Sequence, residues 1–204
     1  MPLLPPAGRA LLLASTVALA ACVDREASPT LVERAGALSS AMAIDTLLVD
    51  GQPVRVRFQE ADGATFPVPF TVRVPDPMRV ETDRTAAGES VRFVMGAPPA
   101  EASWAVVILA DSLDEAGARA EALRVATAMG AVPDEGNPTT WTLAPYATTT
   151  STDGEGTVRL GRHGGRFFLA VTTTASAAAA DFRPRAAYLD ETWRWTDDGS
   201  SLAD

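Results

Sequence analysis

From Thr46 to Ala110 the chain runs in short apolar stretches separated by Gly- and Pro-containing turns, and this pattern restricts the fold more than any other feature. Val54, Val56 and Phe58 alternate with Arg55 and Arg57. Such a period of two predicts a strand with one buried face. Asp50-Gly51-Gln52-Pro53 separates it from Thr46–Val49, which predicts a hairpin. Pro67 and Pro69 confine the next segment to a sheet edge, because proline cannot donate to a ladder. Phe70–Val74 and Met78–Glu81 flank a further turn at Pro75-Asp76-Pro77. Val91–Met95 and Trp104–Ala110 read as two more strands, the second so apolar that both its faces should be covered.

The downstream half adds helices. Ser112-Leu113-Asp114-Glu115 has capping-box spacing and opens a helix predicted over 113–129. Its expected apolar stripe is Ala116, Ala120, Leu123, Ala126 and Met129, with Gly130 just beyond the end. Residues 131–138 read as a loop and Thr140–Ala147 as a strand. Thr157–Leu160 and Phe167–Thr172 form a hairpin around Gly161–Gly165. A helix over 177–191 contains Pro184, and Thr192–Trp195 closes the fold as a strand with both indoles on one face. Adjacent strands with helices laid over them predict an α+β fold, a mostly antiparallel sheet with helices packed on it.

The run Phe70-x-Val-x-Val-Pro, Val91-Arg-Phe, an apolar strand, a helix, Gly156–Phe168, a helix with Phe182-Arg-Pro and a terminal Trp193-Arg-Trp resembles the Mog1/PsbP-like α/β/α sandwich over about 70–196. Residues 45–69 fall outside the likeness. The resemblance implies a binding or assembly module without catalytic residues.

The N-terminus has a different character. Arg9 precedes an apolar run from Ala10 to Ala21 interrupted only by Ser15 and Thr16, the layout of a secretory leader. Twelve helical residues span about 18 Å, short of a hydrocarbon core of about 30 Å. The run ends in Leu19-Ala20-Ala21-Cys22, which resembles the bacterial lipobox. That likeness implies cleavage before Cys22, diacylation of its thiol and attachment to a membrane through acyl chains. Two or three such chains, at ~0.8 kcal/mol per buried CH₂, anchor a protein stably. Cys22 is the one cysteine of the chain, at the position where lipidation requires it. An Asp directly after the cysteine resembles an inner-membrane retention signal; Val23 stands there instead, which implies the outer membrane, facing the periplasm. The expected organisation is a leader over 1–21, a lipidated tether over 22–44 with a short helix at 31–42 opened by Thr30 and Glu33, a single α+β domain over 45–196, and a polar, frayed tail over 197–204.

Composition removes much chemistry. All 17 basic residues are arginines, so a Walker A loop, a Schiff-base lysine and a Ser-x-x-Lys nucleophile are excluded. A lone cysteine forms no internal disulfide or cysteine zinc cage, and a lone histidine, His163, no multi-histidine metal set. With 26 acidic residues and a net charge of −9 the chain lacks the basic surface that nucleic-acid binding needs.

The remaining candidates have ordinary structural explanations. His163 lies in a Gly-rich turn; general-base work needs an orienting carboxylate and a metal needs further ligands. Asp153 and Glu155 lie at the opposite strand end, so His163 is expected as an exposed turn residue. Thr152-Asp153-Gly154 is a hairpin signal, and Asp197-Asp198-Gly199 is too short for a calcium loop. Asp111, Asp114 and Glu115 cluster at a strand–helix junction, where acids serve the helix start. Trp193 and Trp195 are expected in the core rather than stacked on a sugar. The sequence thus points to a non-enzymatic, membrane-tethered module for an envelope partner, with no catalytic residues, cofactor or metal. The competing reading is a periplasmic hydrolase working through carboxylates.

Overall fold

The computed structural model describes residues 43–49, 51–133, 140–143 and 154–203. The leader, Cys22, the 31–42 helix, residues 144–147 of the strand expected over Thr140–Ala147, and Asp153 lie outside the described residues.

Among the described residues, eleven strands form two antiparallel sheets. β1 (Ala43–Val49), β2 (Gln52–Asp62), β3 (Phe70–Pro75) and β11 (Arg194–Trp195) make a four-stranded sheet in that order. The second sheet has seven strands: β4 (Arg79–Thr85), β5 (Gly88–Met95), β6 (Ala102–Leu109), β10 (Arg166–Ala175), β9 (Gly154–His163), β8 (Thr140–Leu143) and β7 (Ala131–Pro133), again in spatial order. Two α-helices complete the described fold, α1 (Glu115–Ala128) and α2 (Ala179–Thr192), the latter preceded by a 3₁₀ turn at Ser176–Ala178. The expected α+β class holds in this form: antiparallel sheets with helices packed on them.

Local chemistry explains the hairpins. Leu47 opposes Val54 across β1 and β2, as the alternation requires. His163 opposes Arg166, leaving Gly164 and Gly165 as a two-residue turn. Both glycines have positive φ, 55° and 82°, the conformation that a tight type I′ connection demands.

The apolar β6 is central, paired with β5 and β10, and its two faces feed two cores. Trp104, Val106 and Ile108 join Val91, Phe93, Phe168 and the inner residues of the four-stranded sheet. Phe182, Ala186 and Leu189 of α2 close this larger core. On the opposite face Leu109, Val158 and Leu169 meet Ala118, Ala122 and Ala126 of α1. The seven-stranded sheet therefore carries α1 on one side and the second sheet with α2 on the other.

Several expectations are corrected. β3 is not an edge strand of its sheet: β2 pairs with it along Thr71–Pro75 and β11 at Phe70–Thr71, and Pro67 and Pro69 precede the strand, so their missing N–H groups take nothing from its ladder. The turn after β3 passes the chain from one sheet to the other. The cap of α1 is Asp114, two residues after the expected Ser112, and its carboxylate accepts from the Gly117 N–H at 2.8 Å. The buried stripe is also rotated, to Ala118, Ala122 and Ala126, while Leu123 is 51% exposed. Residues 131–133 form edge strand β7 rather than loop. The described part of the tail, residues 197–203, is folded back and packed. Trp195 N–H donates to the Ser200 carbonyl at 3.0 Å, Gly199 N–H to the Trp195 carbonyl at 2.9 Å, and Leu202 enters the large core.

Candidate functional site

The tail brings two acids to the histidine. β9 ends at His163, and β11 ends at Trp195. The His163 imidazole lies flat on the Trp195 indole, centroids 4.7 Å apart and planes 8° apart. Trp195 is itself fixed in the core by Phe168 and Trp193, each with ring centroids 5.3 Å away. Beyond Trp195 the chain turns back on itself through Gly199, whose φ of 75° suits glycine. This turn sets Asp197 Oδ1 at 2.8 Å and Asp198 Oδ1 at 3.9 Å from His163 Nε2. One ligand atom from each of the three residues lies within 4.8 Å of the others.

His163 is thus not an exposed turn residue: its side chain is only 12% exposed, whereas Asp197 and Asp198 are 50% and 55% exposed. The Ser200 hydroxyl and then its backbone N–H hold the Asp198 carboxyl below the usual carboxylate range. The backbone bond measures 2.8 Å. The site pairs a shielded imidazole with two anionic groups at its open side. Of the acids near His163 in sequence, Asp153 lies outside the described residues and Glu155 sits at the far end of the hairpin, as expected. Glu155 pairs with Arg183 of α2, which is the first cause of its lowered pKa. The usable signal was Trp195-x-Asp-Asp-Gly, an aromatic anchor followed by a turn.

The junction acids do not converge on a cleft. Asp114 caps α1, Glu115 pairs with Arg119 at 2.9 Å one turn on, and Asp111 pairs with Arg166 of β10. Trp193 and Trp195 are buried, 0% and 1% exposed, so neither offers a face to a sugar. A cleft of about 280 Å³ lies between β3 and the end of α2, lined by Glu60, Arg73, Glu191 and Arg194 with Thr71, Val72 and Thr192. Its charges are of both signs, and Glu60 and Arg73 stand opposite each other in the β2–β3 ladder. No described helix is long and apolar enough to cross a membrane.

No protein-family model, no curated protein and no solved structure matches this chain.

Proposed function

We propose that this chain is a lipid-anchored envelope protein whose α+β domain serves as a non-enzymatic binding or assembly module. Cys22 carries the acyl chains and holds the domain at the outer membrane, facing the periplasm, where an envelope protein is the partner. The observation that carries this reading is Leu19-Ala20-Ala21-Cys22, closing an apolar leader with the one cysteine in 204 residues. Net charge is compatible with this reading: an acidic body is repelled by anionic head groups, so acyl chains rather than charge would hold it at the membrane. The distribution of the carboxylates supports a non-enzymatic role, since Asp111, Asp114 and Glu115 are engaged by a helix start and by arginines. A helix on each side of the seven-stranded sheet, α1 on one face and α2 alongside the four-stranded sheet on the other, supports placing the domain with the Mog1/PsbP-like α/β/α sandwiches. The β1–β2 hairpin is then an addition, in keeping with a likeness that starts near residue 70.

The test is expression of wild type and Cys22→Ser, followed by membrane fractionation and mass spectrometry of the N-terminal peptide. Wild type is expected in the membrane with acyl mass on Cys22, and the variant without it. Unacylated wild type distributing like the variant refutes the anchor. Hydrolysis of glycan, peptide or ester panels that disappears in Asp114→Asn or Glu115→Gln refutes the non-enzymatic role.

A further inference from the structure

We propose that His163, Asp197 and Asp198 form a binding site for one divalent transition-metal ion of the Zn²⁺ class. This departs from the metal-free expectation drawn from sequence, and it does not depend on the lipid anchor.

The donor set is one imidazole nitrogen and two carboxylate oxygens. Zinc accepts that mixture, whereas all-oxygen sites suit Mg²⁺ and Ca²⁺. Two carboxylates beside a neutral imidazole also balance a dication.

The spacing fits as well. With ligand bonds of about 2.0–2.2 Å, neighbouring donors on a tetrahedral ion stand roughly 3.3–3.6 Å apart. The contacts from His163 Nε2 to Asp197 and Asp198, 2.8 and 3.9 Å, bracket that value. Small rotations of two half-exposed carboxylates would bring both oxygens to bonding distance.

The frame around the donors is already set. Stacking on Trp195 fixes the plane of the imidazole, and Trp195 belongs to the core. The Ser200 N–H holds the Asp198 carboxylate, and paired backbone bonds between Trp195 and the 199–200 segment hold the turn. A hydrogen bond to His163 would need one acid; the turn delivers two. Three protein donors leave the solvent side of the ion to water or to a donor from a partner, an open site rather than a closed structural one.

His163 is the one histidine of the chain, so selective ¹⁵N-histidine labelling gives a single imidazole to observe. The full chain, purified in detergent, is titrated with ZnCl₂ by NMR, and native mass spectrometry counts the bound ions. The expected result is a shifted imidazole signal that saturates at one ion per chain. Asp197→Asn and Asp198→Asn should each raise the half-saturating Zn²⁺ concentration at least about tenfold, since even outer-shell losses cost 10–100-fold. Both substitutions are isosteric and exposed, and matching circular dichroism melts will show that the variants fold. Cys22→Ser should titrate like wild type. An unmoved imidazole signal under stoichiometric Zn²⁺ overturns the proposal. So does an unchanged titration in both Asp variants, or loss of the response in Cys22→Ser, which would assign the ion to the thiol.

Discussion

Replacing Trp193 by alanine tests whether the two sheets share one core. Trp193 is fully buried between them. Its indole stacks on Phe70 of β3 at 4.0 Å between centroids and leans on Trp104 of β6 at 5.5 Å. A buried aromatic ring removes ~150–250 Å² from water. At about 25 cal/mol per Å² that amounts to roughly 4–6 kcal/mol, and measured Trp→Ala losses run about 3–5 kcal/mol. Taking ~4 kcal/mol and a urea slope of ~2 kcal/mol per M, the midpoint should fall by about 2 M. Trp193→Phe gives a second reading. The Trp193 Nε1–H is buried without a hydrogen-bond partner among the described residues. Phenylalanine loses part of the ring volume but also removes that donor, whose desolvation costs about 1–3 kcal/mol. Its midpoint should therefore fall by less than half as much. Far-ultraviolet circular dichroism reads both transitions without relying on the fluorophore that is altered. An alanine variant within about 0.5 M of wild type would refute the shared core. A phenylalanine variant as damaged as alanine would refute the account of the orphaned N–H.

Two further outcomes follow from the described contacts. Asp114→Ala should destabilise the domain by about 0.5–2 kcal/mol while Ser112→Ala changes little, read as urea midpoints; the reverse order would return the cap of α1 to Ser112. Asp45 is held below the usual aspartate range first by the Thr46 N–H and then by the Tyr188 hydroxyl, so its contribution is present above the ordinary aspartate pKa and lost as pH falls through the lowered folded value. Tyr188→Phe should raise the Asp45 pKa in carboxyl NMR titrations and destabilise more at neutral pH than in acid; an equal loss at both would show that the hydroxyl acts independently of the Asp45 charge.

Elements whose signals are local were legible in the amino-acid sequence. The β1–β2 and β9–β10 hairpins follow from alternation and glycine turns, and β6 is central because an apolar run needs cover on both faces. Gly130, at φ 69°, ends the helical segment where glycine's freedom permits. The face of α1 was not legible, because alanines at 116, 118, 120, 122, 126 and 128 surround the helix and leave periodicity little to choose between. Only the opposing sheet selects Ala118, Ala122 and Ala126. Nor could local pattern divide the strands into two sheets, since pairing depends on partners far along the chain. β3 meets β11, more than a hundred residues later, through Phe70 and Trp195. The same long-range closure decides the chemistry of the surface. Composition alone excludes lysine catalysis and a cysteine metal cage and isolates His163 as the single imidazole. Its two acidic neighbours arrive only because Trp195 enters the core and draws the following Asp197-Asp198-Gly199 turn against the β9–β10 hairpin. Burial of an indole, a nonlocal event, converts a tail that reads as polar and loose into one wall of a site.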